Sequence, residues 1–386
     1  MLGIGIRGFS AKKVQRLLAV TGFWVIKGLT RSKRNTVLLA SVSSKIVRGN
    51  LQEMHSVIKT EAPNAVVMLE MKNSISDRRG LVGLARFLFR LASARVIILD
   101  DYLPELNWLQ LRRSQTVVQL WHAAGAFKRV GYSRRGMPGG PGLNSNLHMG
   151  YSHVVCSSKE LVEQYAEAFN ISSGRVHALG VPRFARYFST GFQEESKREL
   201  QKKFGIQSGK KTVLVAPTFR GNGQKSARSS MLLDVVNQVA TELKESHVFL
   251  IRDHPFAVNR SRKFSSKAPN VHDVSEPANE IEKLVAGSDL LVTDYSSIIF
   301  EFALLNKPTI LFVPDLIEYQ STRGLYFPLD EYSYANMATT DKQLIKAINK
   351  PKINEQKLHS LKRKHLSSCQ PSSAKAIFEK LIAPAL

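Results

Sequence analysis

Short apolar runs bounded by polar turns alternate with stretches of helical period along most of the chain. The runs Val37–Val42, Ala65–Leu69, Val96–Leu99 and Thr116–Leu120 predict four strands with helices between them. Strands are also expected at His153–Cys156 and Val176–Leu179, with a helix over Ser158–Phe169. Pro182 interrupts the stretch Gly180–Thr190, and helical period resumes only at Gln193. A second series follows, with strands expected at Thr212–Ala216, His247–Ile251, Leu290–Val292 and Thr309–Val313. Strands alternating with helices predict an α/β fold: two similar doubly wound halves with a cleft between them. The expected domains are 1–185 and 186–386, with the helices of Asp341–Leu386 packing back across the first.

Two helical stretches of the first half carry an unusual surface. Lys12–Leu29 places Val14, Leu17, Leu18, Trp24 and Val25 near one face, with Lys12, Lys13, Arg16 and Lys27 elsewhere. In Ser76–Ser93 the stripe Leu81, Leu84, Leu88 and Leu91 is expected to face inward. Arg79, Arg86 and Arg90 then share another face with Val82, Phe87 and Phe89. Arginines among exposed aromatic rings suit a membrane surface, so Arg79, Arg86, Phe87, Phe89 and Arg90 are the expected membrane-binding residues. Charge points the same way. The 386 residues hold 55 Lys+Arg against 31 Asp+Glu, a net +24, and residues 1–52 contain no acid. Such a balance favours polyanions or an anionic membrane. No helix-turn-helix, zinc or aromatic RNA-binding pattern accompanies it, so nucleic acid is not an expected partner. No apolar run reaches bilayer-spanning length, and no signal peptide is read at the N-terminus. Two cysteines, Cys156 and Cys369, make neither a disulfide framework nor a metal motif, which suits a reducing, intracellular setting.

Open parallel sheets bind ligands at the carboxyl ends of their strands, and the chemistry-bearing residues cluster there. The stretch Thr293-Asp294-Tyr295-Ser296-Ser297 links a strand to a helix, so Ser296 and Ser297 are expected to hold a phosphate. Asp294 or either serine acting as a plain helix cap is the competing reading. Thr218 and Arg220 follow another strand; Arg220 and Arg323 suit phosphate because a guanidinium grips two oxygens at once. His122, directly after Thr116–Leu120, can take a proton from an acceptor hydroxyl. His254 in Arg252-Asp253-His254-Pro255 can donate to a phosphate. Lys128 and Arg129 follow His122 as acceptor- or anion-binding cations, and Arg134 and Arg135 lie in a Gly-rich segment able to close over an anion. Glu301 and Glu318 are candidates for ribose or polyol hydroxyls, while His148, His153, His177 and His272 are read as structural. With no P-loop, dinucleotide fingerprint or Asp-x-Asp pair, neither a cofactor nor a metal is expected.

Taken in order, LWHAAGAFKRVGYS, VLVAPTFRG, RDHP, DLLVTDYSSIIFEFALLNKPTILF and RGLYF resemble the CDP-glycerol glycerophosphotransferase family over roughly Val117 to Phe327. That family comprises the teichoic-acid glycerol- and ribitol-phosphate transferases of bacterial cell-wall biogenesis. The resemblance implies a GT-B fold of two Rossmann-like domains around a cleft. It implies transfer of glycerol phosphate from CDP-glycerol to a primed, undecaprenyl-diphosphate-linked disaccharide at the cytoplasmic membrane face. A ribitol-phosphate transferase and a sugar-nucleotide glycosyltransferase of GT-B fold are the alternatives. Residue by residue, His122 matches the family's base or phosphate-contacting histidine. His254, Ser296 and Ser297 match donor-phosphate contacts, and Arg323 matches the arginine of the RG-Y motif. Trp-His-Ala-Ala-Gly departs from the commoner Trp-His-Gly-Thr-Pro and resembles members that extend a primed linkage unit.

Overall fold

The computed structural model describes residues 11–75, 77, 79–221, 230–253, 266, 268–276 and 278–386. The chain forms two compact units: residues 1–122, 146–155 and 374–386 make the first, and residues 123–145 and 156–373 the second. The division therefore interleaves the chain, where the sequence suggested one crossing near residue 185.

In the first unit the strands β1 (Thr36–Ser41), β2 (Val66–Met71), β3 (Val96–Leu99), β4 (Thr116–Gln119) and β5 (His153–Cys156) lie in the order β2-β1-β3-β4-β5. Neighbours are parallel throughout. The next strand along the chain, β6 (Val176–Ala178), lies among the residues of the second unit. β1 and β3 are buried along their whole length, which their unbroken apolar sequences require of strands covered on both faces. β2 is an edge strand and is largely accessible. The register Leu99↔Gln119 brings the chain out of β3 and β4 at the same edge, so Asp100–Asp101 and Leu120–His122 leave together. Helix α2 (Gly49–Glu61) buries Asn50, Leu51, Met54 and Ile58.

Helices α1 (Ala11–Leu29) and α3 (Leu81–Ser93) pack on each other. In α1 the apolar stripe read from the sequence is largely accessible, and in α3 Leu88 and Leu91 face inward as expected while Phe87 joins them. In α1, Ala19 and Phe23 are buried, while Leu17, Leu18, Trp24 and Val25 are exposed. In α3 the buried set is Phe87, Leu88, Leu91, Ala92 and Ser93, and Leu81 and Val82 are each 81% exposed. The helix begins at Leu81 after Gly80, so Arg79 lies outside it.

The second unit carries a six-stranded sheet in the order β12-β11-β10-β7-β8-β9, again parallel. Its strands are β7 (Lys211–Ala216), β8 (His247–Ile251), β9 (Val271–Asp273), β10 (Leu290–Thr293), β11 (Thr309–Phe312) and β12 (Asn336–Ala338). Side chains alternate across it. Leu214, Ala216, Leu250, Leu291 and Leu311 enter one core, and Val213, Val215, Phe249, Ile251, Leu290, Val292, Ile310 and Phe312 enter another. Strand order reverses between β7 and β10, and the carboxyl ends at such a switch point open a crevice. Deep in the first core Arg183 donates to Glu301 at 2.8 Å, Tyr187 bonds the same carboxylate, and Glu282 lies nearby. That network occupies Glu301, which the sequence had offered to substrate hydroxyls.

Candidate functional site

At the switch point of the second unit the chain leaves β7 as Pro217–Arg220 and β10 as Asp294–Ser297. β11 leads through Asp315 into a helix, Leu316–Thr322. Asp294 is fully buried and organises the cluster. Its Oδ1 accepts from the Thr218 amide and hydroxyl, each at 2.9 Å, and from the Tyr295 amide at 2.7 Å. Its Oδ2 accepts from the Ser230 hydroxyl at 2.8 Å and from Arg220 Nη1 at 2.9 Å. Five donors leave this carboxylate no lone pair for a phosphate's proton or a substrate hydroxyl, so Asp294 shapes the site from behind.

Arg220 is bound just as firmly. It holds Asp315 through Nε at 2.6 Å and Nη2 at 3.2 Å, and donates from Nη1 to the Thr218 carbonyl at 3.0 Å. These pairs outweigh desolvation and raise its proton affinity further. Tyr295 and Tyr319, stacked at 3.6 Å, lie 5.2 and 5.1 Å from its guanidinium carbon. Arg220 is thus a brace between strand ends, in place of the open clamp expected. Asp315 and Ser230, its companions, carried no sequence signal beyond lying near a strand end or helix start.

Ser296 and Ser297 are half-buried, and the Ser296 hydroxyl accepts from the Ile298 amide at 3.4 Å at the start of a short helix, Ile299–Leu304. Arg323 lies 4.8 Å over the Phe219 ring and donates to the Gly221 carbonyl at 2.8 Å. Gly324 follows in the left-handed region (φ +72°), where a side chain would meet Met137 and Arg129. Lys128 sits opposite, paired antiparallel with Leu325. Burial pushes its amine down to about 8; Asp294 opposes that and Arg323 and Arg220 add to it. Arg129 donates to the Leu325 and Ser133 carbonyls and lies 3.8 Å from Glu167. His254 and Pro255 lie outside the described residues.

In the first unit, His122 follows β4. Its side chain is 55% exposed, and Nδ1 stands 3.6 Å from Asp101 Oδ1. Trp121 before it adopts φ +58°, a costly conformation for a bulky residue. Two hydrogen bonds hold that peptide: Trp121 N donates to Gln119 Oε1 at 2.9 Å, and Asn50 Nδ2 donates to the Trp121 carbonyl at 2.8 Å. Gln119, itself buried, also donates to the Asp101 carbonyl at 3.0 Å. The Trp121 ring lies 4.3 Å from the imidazole. A backbone over-determined in this way fixes the imidazole beside a carboxylate, which favours the proton on the nitrogen that faces it. Asp101, Gln119 and Asn50 were not singled out in the sequence. Adjacent Asp100 is pushed up to about 7, burial outweighing a hydrogen bond with Ser41.

Of the residues assigned to the membrane, Arg79 pairs with Glu70 at 3.1 Å and Glu105 at 2.6 Å and covers the buried ring of Phe87 at 3.8 Å. Arg90 bonds Glu70 and the Leu69 carbonyl. Arg86 is exposed and Phe89 is 47% exposed. Among the described residues no helix is long and apolar enough to cross a membrane, and no group of three or more His, Cys, Asp or Glu could hold a metal ion.

Comparison with known proteins gives a consistent result. The chain is 34% identical over 352 residues to the teichoic acid poly(ribitol-phosphate) polymerase of Bacillus spizizenii, spanning 91% of itself and 57% of that protein. It is 32% identical to the ribitol-phosphate polymerase TarL of Staphylococcus aureus, spanning 90% of itself and 62% of TarL. The chain therefore spans about three-fifths of the length of these relatives. A teichoic acid glycerol-phosphate primase of Bacillus subtilis is 29% identical over 275 residues, which are 70% of this chain and 67% of the primase. A structure of the wall teichoic acid polymerase TagF matches with a TM-score of 0.77 at 19% identity, covering 98% of this chain and 99% of that one. That likeness establishes the fold, two parallel α/β sheets of GT-B type. The family model described as CDP-glycerol:poly(glycerophosphate) glycerophosphotransferase matches residues 23–381, and the chain belongs to that family of teichoic-acid phosphotransferases.

Proposed function

We propose that this chain transfers a polyol phosphate from a CDP-activated polyol to a hydroxyl of a primed, lipid-linked saccharide, releasing CMP. The family match over residues 23–381 carries this reading. Ribitol phosphate is the group supported by ribitol-phosphate polymerases among the relatives. Glycerol phosphate from CDP-glycerol is the second reading, supported by the family description and the glycerol-phosphate primase. In the second unit, Ser296, Ser297 and Arg323 hold the donor phosphates, with Asp294, Thr218 and Arg220 setting their positions, and Lys128 binds an anionic group beside Arg323. His122 of the first unit takes the proton from the acceptor hydroxyl. The freed oxygen attacks the β-phosphorus, the bond from that phosphorus to the bridging oxygen breaks, and CMP leaves with the electron pair. Cations around the phosphates stabilise charge as it gathers on the leaving oxygens.

The enzyme works as a peripheral protein on the cytoplasmic membrane face. Supporting this is the exposed set Leu17, Leu18, Trp24 and Val25 of α1 with Leu81, Val82, Arg86 and Phe89 of α3, apolar side chains beside cations.

The experiment is CMP release from CDP-ribitol and, separately, CDP-glycerol, with a primed lipid-linked disaccharide analogue as acceptor. Turnover is expected with one donor, and His122→Ala should abolish it while donor binding persists. Silence with both donors, alongside turnover of a sugar nucleotide, would hand the chain to the glycosyltransferase reading.

A further inference from the structure

Four cations of the second unit, Arg220, Lys128, Arg134 and Arg323, act on one another around the ends of β7 and β10. Among the described residues two carboxylates interact with them, Asp294 and Asp315, and Arg220 holds both. Lys128, Arg134 and Arg323 have no carboxylate partner among the described residues. The backbone places them deliberately. Tyr326 N donates to the Phe127 carbonyl at 2.9 Å and Arg129 N to the Gly324 carbonyl at 3.1 Å, which sets Lys128 beside the Arg323–Leu325 turn. Arg134 reaches the same turn from the Gly-rich segment, donating from Nη2 to the Pro138 carbonyl at 2.6 Å and the Thr322 carbonyl at 3.4 Å. Its Nε is buried with no hydrogen-bond partner.

A buried N–H without an acceptor, on one of three cations that lack a carboxylate partner, costs stability in the empty protein, and such a cost persists where a ligand supplies the missing acceptors. We propose that Lys128, Arg134 and Arg323 form one binding site for a phosphodiester or diphosphodiester group. Guanidinium forks from two directions and a point-charge amine match the spread of oxygens on such a group. The proposal rests on the phosphotransfer reading for the ligand's identity: the group is the donor's diphosphate or a phosphodiester of the acceptor chain.

Lys128 also couples the site to pH. The groups acting on its amine are Asp294, Arg323 and Arg220, and burial lowers its pKa to about 8. An arriving anion raises that value, so binding takes up a proton above pH 8 and weakens as the pH rises. One unit above its pKa an amine is charged in roughly one molecule in ten, so affinity should fall about tenfold between pH 7 and pH 9.

The test is calorimetric titration of the full chain with CDP-glycerol and with oligo(glycerol phosphate), whose phosphodiesters do not titrate in this range. Buffers of differing ionisation enthalpy report proton uptake. We expect uptake near pH 8.5 with the probe that belongs here, about tenfold weaker binding in Arg134→Gln, and loss of both affinity and uptake in Lys128→Met. Lys128→Arg should restore affinity at pH 9 and abolish its pH dependence, which a merely structural lysine would not do. The responding probe assigns the phosphate to donor or acceptor. Wild-type affinity and uptake in Lys128→Met, or failure of both probes to bind wild type, would overturn the site. Lys128-linked binding without CMP release from either donor would sink the transfer reading alone.

Discussion

Replacing Asp294 by Asn keeps the side chain's size and one carbonyl oxygen, but turns the other acceptor into an NH2 group. That group then faces Arg220 Nη1, which stands 2.9 Å from Oδ2 and can only donate. The Ser230 hydroxyl can rotate to accept, and the Thr218 and Tyr295 amides keep their acceptor if the amide oxygen takes the Oδ1 position. What is lost is one partner of a buried ion pair. Such losses cost about 3–5 kcal/mol, and the lower end applies because Arg220 retains Asp315. About 3 kcal/mol is a factor of roughly 150 in an opening equilibrium. Hydrogen exchange of amides in β7 and β10 measures it directly, and their protection should fall by about two orders of magnitude while β1 and β3 are unchanged. Adding Arg220→Met to Asp294→Asn should cost less than Arg220→Met alone, because the unpaired charge leaves with it. Protection in Asp294→Asn within about fivefold of wild type would refute the view of Asp294 as the cluster's anchor.

Gly125 has φ +63°, and a Cβ there would lie 2.3 Å from the Phe300 ring. Gly125→Ala should therefore cost about 2–4 kcal/mol in thermal unfolding, with partial recovery when Phe300 is shortened to Leu. Trp24→Glu with Leu17→Glu should lower flotation with anionic liposomes and leave the melting temperature unchanged, because both side chains already face water. Arg79→Ala should do the reverse, costing about 3 kcal/mol because Glu105 loses its ion pair and Glu70 is left with Arg90 alone. Burial gives Asp100 a higher proton affinity in the folded than in the unfolded chain. Its contribution to stability is complete below about pH 4 and is lost as the pH rises to about 7. Asp100→Asn should flatten the pH dependence of urea unfolding across that window.

Most of the scaffold was legible because strands buried on both faces read as continuous apolar runs: TVLLAS, VIIL, HVFLI and TILF stand where expected within a residue or two. β9 and β12 were missed. Each is three residues long and partly exposed at a sheet edge, so VHD and NMA show neither run nor alternation. His122, Thr218, Arg220, Asp294 and Ser296 do stand just beyond strands, but the strand-end rule is silent on which of them other side chains hold. A strand-end arginine looks the same whether it awaits a phosphate or, like Arg220, is held by Asp315 from a segment 95 positions away. Amphipathic period misled for a related reason. It reports that a helix has two faces, and says nothing of which is inward. In α3 Leu88 and Leu91 face the core as expected, but Phe87 joins them under the Arg79 guanidinium and Leu81 faces water.

The interleaving of the two units constrains how the molecule is made. Residues 374–386 belong to the first unit, where Ile377, Leu381 and Ile382 are buried, Lys375 reaches Glu61, and the Ala385 carbonyl accepts from Arg95 Nε at 2.7 Å. On the ribosome the long run 156–373 emerges before those residues do. The first unit must therefore wait, part-built, while the second is synthesised and free to fold. Until then the side chains that the tail will cover stay open to chaperones and proteases. Changes within residues 374–386 should show themselves as losses of yield in the cell before any loss of catalytic competence in the molecules that survive.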